Sequence, residues 1–435
     1  MIRGPSDLPR HDRLRPARLG VSTALPAVLR LPPRRAPTGP AWTRGAAAGR
    51  AALSALALGA GALGMAGCLA SWPSPSSPAG TAVATGTAPN DVALTTCSGR
   101  RTALVAASAD ARVDVLDLAG DVADGERVAP QAVFLGEGSN PWSVAPAPDG
   151  RAVATLFGAD AVALIDACGA RDLDRAVVDA VFPIDPITLP SPVDADGDGQ
   201  EETTVTQLRP RAPQAVVVVD GVAFVTWTNV LAYSFDGAPM QTGPGMVARF
   251  VIDGDQLAFD GIARLPCENP QGIAAGDGDD VIVTCTGRFV VDAGAHRRVS
   301  DGGIARVGRT TLELRAFAPL QASPGTPALV DGDIVVGDVL DGRVMRFDAA
   351  LALAQQTAPA VGVESVFVVV VDDAGRPLAG RFGSGEVLVD PFGAAALVRL
   401  QPRGPTRGLI DVVVDGEDLF GLFSLSSELV RGALP

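Results

Sequence analysis

Residues 140 to 167 read NPWSVAPAPDGRAVATLFGADAVALIDA. Short runs rich in Val, Ala and Leu are split first by Asp149-Gly150 and then by Gly158 to Asp160. Asp-Gly can take positive φ at both positions, which a two-residue type I′ hairpin turn demands. The runs are too short for stable helices, so the stretch predicts strand, tight turn, strand, short loop, strand.

Working outward, comparable turns stand at Ser98-Gly99, Asp220-Gly221, Asp277-Gly278, Asp331-Gly332, Asp373 to Gly375 and Asp415-Gly416. With Asp149-Gly150 they make seven, and their glycines are spaced by 51, 71, 57, 54, 43 and 41 residues. A propeller blade takes ~40 to 50 residues, so the pattern predicts an all-β chain folded as a β-propeller of seven blades. The 71-residue interval must hold an insertion, placed near residues 184–210. An eight-bladed ring and an open β-sandwich are the alternatives. A single blade leaves two apolar faces bare, so it becomes stable only when stacked, and a closed ring removes the end faces. The last repeat, from Gly408, supplies LIDVVVD, DLFGLFS and ELVRGAL and then stops. Asp91 to Thr96 would either complete that blade or form the inner strand of the first.

Composition fits this class. Fifty Gly and 35 Pro suit many turns. All 35 basic residues are Arg, and the two histidines are His11 and His296. Schiff-base lysines, P-loop lysines and multi-histidine zinc sites therefore lack their residues. Ten Arg and two Asp lie in residues 1–67, leaving 25 Arg against 47 acids in the remainder. So acidic a body repels nucleic acid and anionic lipid and favours solubility.

Residues 1–67 read as a targeting segment. Arg44 and Arg50 precede the apolar run AALSALALGAGALGMAG, Ala51 to Gly67, which ends at Cys68. Met65-Ala66-Gly67-Cys68 resembles a lipobox, which implies a diacylglyceryl group on Cys68 and a membrane reached through that anchor. Residues 68–90 then form a flexible tether, and residues 91–435 the propeller. This places the domain outside the cytoplasm. Leu69 and Ala70 lack an inner-membrane retention Asp, so the expected location is the outer membrane or cell surface.

The stretch NPWSVAPAPDGRAVATLF resembles the YVTN-type β-propeller repeat, in which Pro and an aromatic precede the inner strand and Pro-Asp-Gly turns the hairpin. ENPQGIAAGDGDDVIVTC from Glu268 and PGTPALVDGDIVVGDV from Pro324 are looser copies. The resemblance implies a fold and a scaffold or binding role, not a reaction.

Beyond Cys68 the chain has Cys97, Cys168, Cys267 and Cys285. If the strands of each blade alternate direction, Cys97 and Cys168 share one face of the ring, and Cys267 and Cys285 share the other. Those pairings are the expected disulfides, in keeping with an oxidising compartment; four reduced thiols are the alternative.

DADGDGQEE, Asp194 to Glu202, resembles a calcium loop. Asp194, Asp196, Asp198, Gln200 and Glu202 are the expected oxygen donors to a structural calcium. Val205 stands where an EF-hand carries a bidentate Glu, so the loop is shorter than that motif. A solvated acidic loop is the alternative.

Ligands of propellers gather at the channel mouth, near the starts of inner strands. There the chain offers Asn140, Trp142, Arg211, Glu268, Asn269, Gln271, Glu364 and Arg407 as binding candidates. Capping of turns is the competing role for these side chains. His296, within DAGAHRRVSDGG, reads as a loop residue. The expected function is a noncatalytic extracytoplasmic binding or scaffold lipoprotein for a protein or glycan partner, an outer-membrane assembly factor being one form. The alternative is a metal-dependent, lactonase-like hydrolase in which Glu268, Asn269 and Glu364 ligate a divalent ion in the channel.

Overall fold

Alternation decides how each sheet packs. In Arg100–Ala107, Leu104 and Ala106 join one apolar cluster while Ala103 and Val105 join another. Side chains of a strand point alternately to its two faces, so a strand apolar at every position needs a neighbour on both sides. The computed structural model describes residues 82–119, 131–233, 237–292, 295–359, 364–393, 395–403 and 407–435. Within them lie seven four-stranded antiparallel sheets. Their inner strands are Pro89–Cys97, Pro141–Pro146, Pro213–Val219, Pro270–Ala275, Ala328–Val330, Val366–Val371 and Leu409–Asp415. We number the blades 1 to 7 in this order.

Seven apolar clusters among the described residues fall one at each junction between successive blades. The last joins Phe420 and Leu422 of blade 7 to Val92 and Val105 of blade 1, so the ring is closed. The fold is a seven-bladed β-propeller.

Each of the seven turns read from the sequence joins the first and second strands of its blade. Ser98-Gly99, Asp149-Gly150, Asp220-Gly221 and Asp331-Gly332 have positive φ at both residues, as type I′ turns require. Arginine bridges the second and third strands of several blades. Asp280 with Arg306 (2.6 Å), Asp333 with Arg346 (2.7 Å) and Asp418 with Arg431 (2.5 Å) are examples.

Closure differs from the sequence expectation. The fourth strand of blade 7 is Ala82–Ala84, paired antiparallel with Glu428–Ala433, whereas Pro89–Cys97 is the inner strand of blade 1. The propeller thus begins inside the segment read as tether. Ala82 and Val83 are 1% and 3% exposed, one facing blade 6 and the other blade 1. Three small residues in a run of Gly, Thr and Ser carry too little pattern to be seen as a strand; they become one because the edge of blade 7 offers unpaired backbone groups. The targeting segment and Cys68 lie outside the described residues.

Both disulfides join successive blades. Cys97 of blade 1 bonds Cys168 of blade 2 with Cα atoms 5.2 Å apart, and Cys267 of blade 3 bonds Cys285 of blade 4 at 6.1 Å. They lie on opposite faces of the ring, as strand direction predicts.

Candidate functional site

The face bearing the chain's arrivals at the inner strands is built from a repeated joint. Residues 88, 140, 212 and 269 each precede a proline that opens an inner strand, and all four have positive φ, between 48° and 56°. Asn tolerates that conformation, which explains Asn140 and Asn269. Their carbonyls accept hydrogen bonds from Phe157 N (3.1 Å) and Thr286 N (3.0 Å), which tie the arriving chain to the loop after the second strand.

The sequence-derived binding candidates sort onto these joints rather than onto one centre. Trp142 packs against Phe157 with ring centroids 5.1 Å apart on blade 2. Glu268 accepts from Arg288 Nε (3.0 Å) and Ser300 Oγ (2.9 Å), while the buried Asn269 donates from Nδ2 to the Gly287 carbonyl at 3.1 Å. Gln271 is half-buried on the inner strand of blade 4. Glu364 accepts from both N and Oγ of Ser384 at 3.2 Å, and Arg407 donates to the carbonyl of that same serine. Arg211 lies near Asp160, with 4.0 Å between N and O, and donates to the Asp194 carbonyl at 3.4 Å. Glu268 and Asn269 thus belong to one joint and Glu364 to another, and each is hydrogen-bonded within its own joint.

Three extra hairpins rise from blades 2 to 4 on this face. Phe182–Val193 pairs with Glu202–Leu208 in the connection from blade 2 to blade 3, which places the predicted insertion. Val230–Ala232 pairs with Gln241–Thr242 inside blade 3, and Phe289–Asp292 with Ala295–Arg298 inside blade 4. The last two are joined by main-chain bonds, Gly237 N to Val291 O (3.3 Å) and Met240 N to Phe289 O (3.0 Å). His296 therefore sits on a strand, not in a loop, with its ring 5.3 Å from that of Phe289. Sequence reading missed these two hairpins. Their signal was the 57- and 54-residue glycine intervals, longer than the 43 and 41 of the plain blades.

The first hairpin packs inward through Leu189, Val205 and Leu208, which join Trp227 of blade 3 in one buried cluster. Between this hairpin and the outer strand of blade 3 opens a cleft of about 370 Å³, lined by Ile184, Pro186, Thr242, Arg264 and Glu268 among others. Its lining mixes apolar and charged groups.

The tip of that hairpin is the acidic loop. Carboxylate oxygens of Asp194, Asp196 and Asp198 come within 4.8 Å of one another. Asp194 accepts the N–H groups of Gly197 (2.7 Å) and Gly199 (3.2 Å), and Asp198 accepts that of Gln200 (2.7 Å). Glu202 turns back to accept Ala195 N at 3.2 Å. Gly197 and Gly199 have φ of 77° and 88°, which wraps the chain around the carboxylates. The donors are all oxygen, the set a hard divalent cation such as calcium takes.

No protein-family model matches the chain, and no curated protein sequence matches it. Solved structures do. A streptogramin B lyase aligns over 81% of this chain and 95% of its own, with 12% identity and TM-score 0.55. A catalytically inactive virginiamycin B lyase from Staphylococcus aureus, bound to quinupristin, aligns over 81% and 96% with 10% identity and TM-score 0.54. The β-propeller domain of Myceliophteria thermophila Cps50 (Swd1) aligns over 81% and 98% with 13% identity and TM-score 0.50. The likeness is one of fold. It spans a lyase and a propeller domain of a different kind, as expected where one architecture hosts many functions.

Proposed function

We propose that this chain is a noncatalytic extracytoplasmic propeller, of the YVTN-type repeat kind, held to the outer membrane or cell surface through a lipid on Cys68. It binds a protein or glycan with the face that carries the three hairpins. The observation that carries this reading is their concentration: among the described residues the three extra hairpins stand on one face and on neighbouring blades, and two of them are bonded to each other. Loops displayed on a rigid scaffold are where recognition is usually built. The two inter-blade disulfides support an oxidising compartment. A calcium ion held by Asp194, Asp196 and Asp198, with Gln200 and Glu202 beside them, would stiffen the tip of the first hairpin.

Two measurements test the proposal. Intact mass of the membrane-extracted protein should show a mature N-terminus at Cys68 carrying a diacylglyceryl group, and reduction should add two hydrogens per disulfide. Cell-surface crosslinking should attach a partner to the hairpin face, and replacing residues 230–242 by a short turn should abolish that adduct. An unlipidated chain starting upstream of Cys68 overturns the anchor; crosslinks spread evenly over all blades overturn the binding face.

A further inference from the structure

The cleft between the first extra hairpin and the outer strand of blade 3 is walled by two strands that each have a free edge. Phe182–Val193 has a hydrogen-bonded neighbour on one side only, and so has Gln256–Glu268. Both ladders are irregular where they line the cleft. The pairing of the first strand with Glu202–Leu208 passes over residues 184–186, and that of the second with Pro244–Asp253 passes over residues 265–267. A bulge of this kind leaves residues out of the ladder and re-aims them. Pro183, Pro186 and Pro266 interrupt the same stretches, so neither edge can pair with an indefinite sheet. What the two edges can accept is a short extended segment.

The side chains narrow its chemistry. Ile184, Ile187 and Leu265, with Pro186, Pro244 and Pro266, give the cleft an apolar lining, and none of the described residues that line it is aromatic. A sugar ring finds no flat face to stack on there, whereas aliphatic side chains find surface to bury against. Thr242 also lines the cleft; it is 3% exposed, and its Oγ1 is buried without a hydrogen-bond partner. A buried hydroxyl without a partner is unfavourable, and a carbonyl arriving in the cleft would supply one. At the rim, Arg264 comes only to 3.9 Å from Asp185, whose carboxylate is fully exposed. Arg249 on the adjoining strand, by contrast, holds Asp260 at 2.8 Å. The Arg264 guanidinium therefore offers a positive charge beside an apolar slot, the complement of a carboxylate carried among aliphatic groups.

We infer that this cleft receives a short extended segment of a partner protein in which an aspartate or glutamate stands among aliphatic residues. The aliphatic side chains lie against Ile184, Ile187 and Leu265, the acid meets Arg264, and a main-chain carbonyl of the segment accepts from Thr242. The inference rests on the reading that the hairpin face binds a partner, and it selects protein over glycan.

The test presents the full chain with an array of N-acetylated, C-amidated hexapeptides built from Val, Ile, Leu, Thr, Asp, Glu, Asn and Gln, with oligosaccharides on the same array. Retained peptides should combine an acid with aliphatic residues, and replacing that acid by its amide should release them. Arg264→Glu should weaken their binding by about tenfold or more, and Thr242→Val should weaken it severalfold, with unchanged melting temperatures showing that both variants are folded. On binding, amide hydrogen exchange in the wild type should slow at residues 183–187 and 264–268. The inference is overturned if no such peptide is retained, if Arg264→Glu holds the peptides as tightly as the wild type, if exchange slows only elsewhere, or if oligosaccharides are bound in their place. Failure of the underlying reading looks different: no cell-surface adduct then forms on the hairpin face at all, whereas an adduct that survives in Arg264→Glu and Thr242→Val keeps the face and removes the cleft as its contact.

Discussion

Blades 3 and 5 perform the same architectural task with very different amounts of chain. In blade 5 the strands are Ala328–Val330, Asp333–Gly337, Val344–Phe347 and Leu353–Gln356, three to five residues each. In blade 3 the outer pair, Pro244–Asp253 and Gln256–Glu268, runs to 10 and 13 residues, and a further hairpin rises from the middle of the blade. Both blades bury the same kind of apolar cluster against their neighbours. The minimal blade shows what the ring requires; blade 3, like blade 4, carries more chain than that.

The largest effects should test whether the two blades really share one framework. Trp227→Ala in blade 3 and Phe347→Ala in blade 5 each remove a fully buried ring at a blade junction. Each should cost about 3–5 kcal/mol in denaturant unfolding; a much smaller cost in blade 5 would show that the plain blades are loosely coupled to the rest.

Next come the disulfides. Cys97–Cys168 closes a 71-residue loop and Cys267–Cys285 an 18-residue one. In the chain-entropy account, serine replacement of the first pair should cost about 4 kcal/mol and of the second about 3 kcal/mol. Cys285 is fully buried whereas Cys168 is half-exposed. Mild reductant should therefore open the blade 1–2 bond first, read by alkylation and peptide mapping.

Calcium should come third. At a hundredfold excess over its Kd, a single bound ion stabilises by about 2.7 kcal/mol. Calcium should raise the melting temperature of the wild type, and Asp194→Ala with Asp196→Ala should abolish the rise without altering the calcium-free value by a comparable amount. No shift in the wild type would leave the acidic loop a solvated turn and remove one distinction of the hairpin face.

The smallest effect concerns the joints themselves. Ala88 holds a φ of 51° at the position that Asn140 and Asn269 occupy in blades 2 and 4. Ala88→Gly should stabilise by about 0.5–1 kcal/mol because glycine takes that conformation without the Cβ penalty. A loss of stability instead would mean that the methyl group packs at the joint.

Much of this molecule is legible in its sequence because its determinants are local. A tight hairpin turn needs glycine where φ is positive, so Asp149-Gly150 and its counterparts mark seven blades without any knowledge of what they touch. The disulfide partners follow from strand direction alone, since alternation sends Cys97 and Cys168 to one face and Cys267 and Cys285 to the other. The acidic loop is likewise visible as a spacing of carboxylates, and the structure brings three of them together.

What escaped depends on contacts between distant residues. Glu268, Asn269, Glu364 and Arg407 are binding candidates in the sequence because they are polar and stand before inner strands, but their partners within the fold are not visible there. Only the folded ring supplies Ser300, Gly287 and Ser384 as their partners. Ala82–Ala84 has no strand signature of its own; the open edge of blade 7, more than 300 residues later, makes it one. Asp411 and Val92 are more than 300 positions apart, and nothing in either neighbourhood announces the hydrogen bond from the Val92 N–H to the Asp411 carboxylate that crosses from blade 1 to blade 7. Turn chemistry and alternating faces are written into neighbouring residues, so the sequence by itself determined the architecture, the blade count and the cysteine pairing. Closure and the linking of the hairpins were decided by tertiary structure alone, because each arises only when the ring brings remote backbone groups within hydrogen-bonding distance.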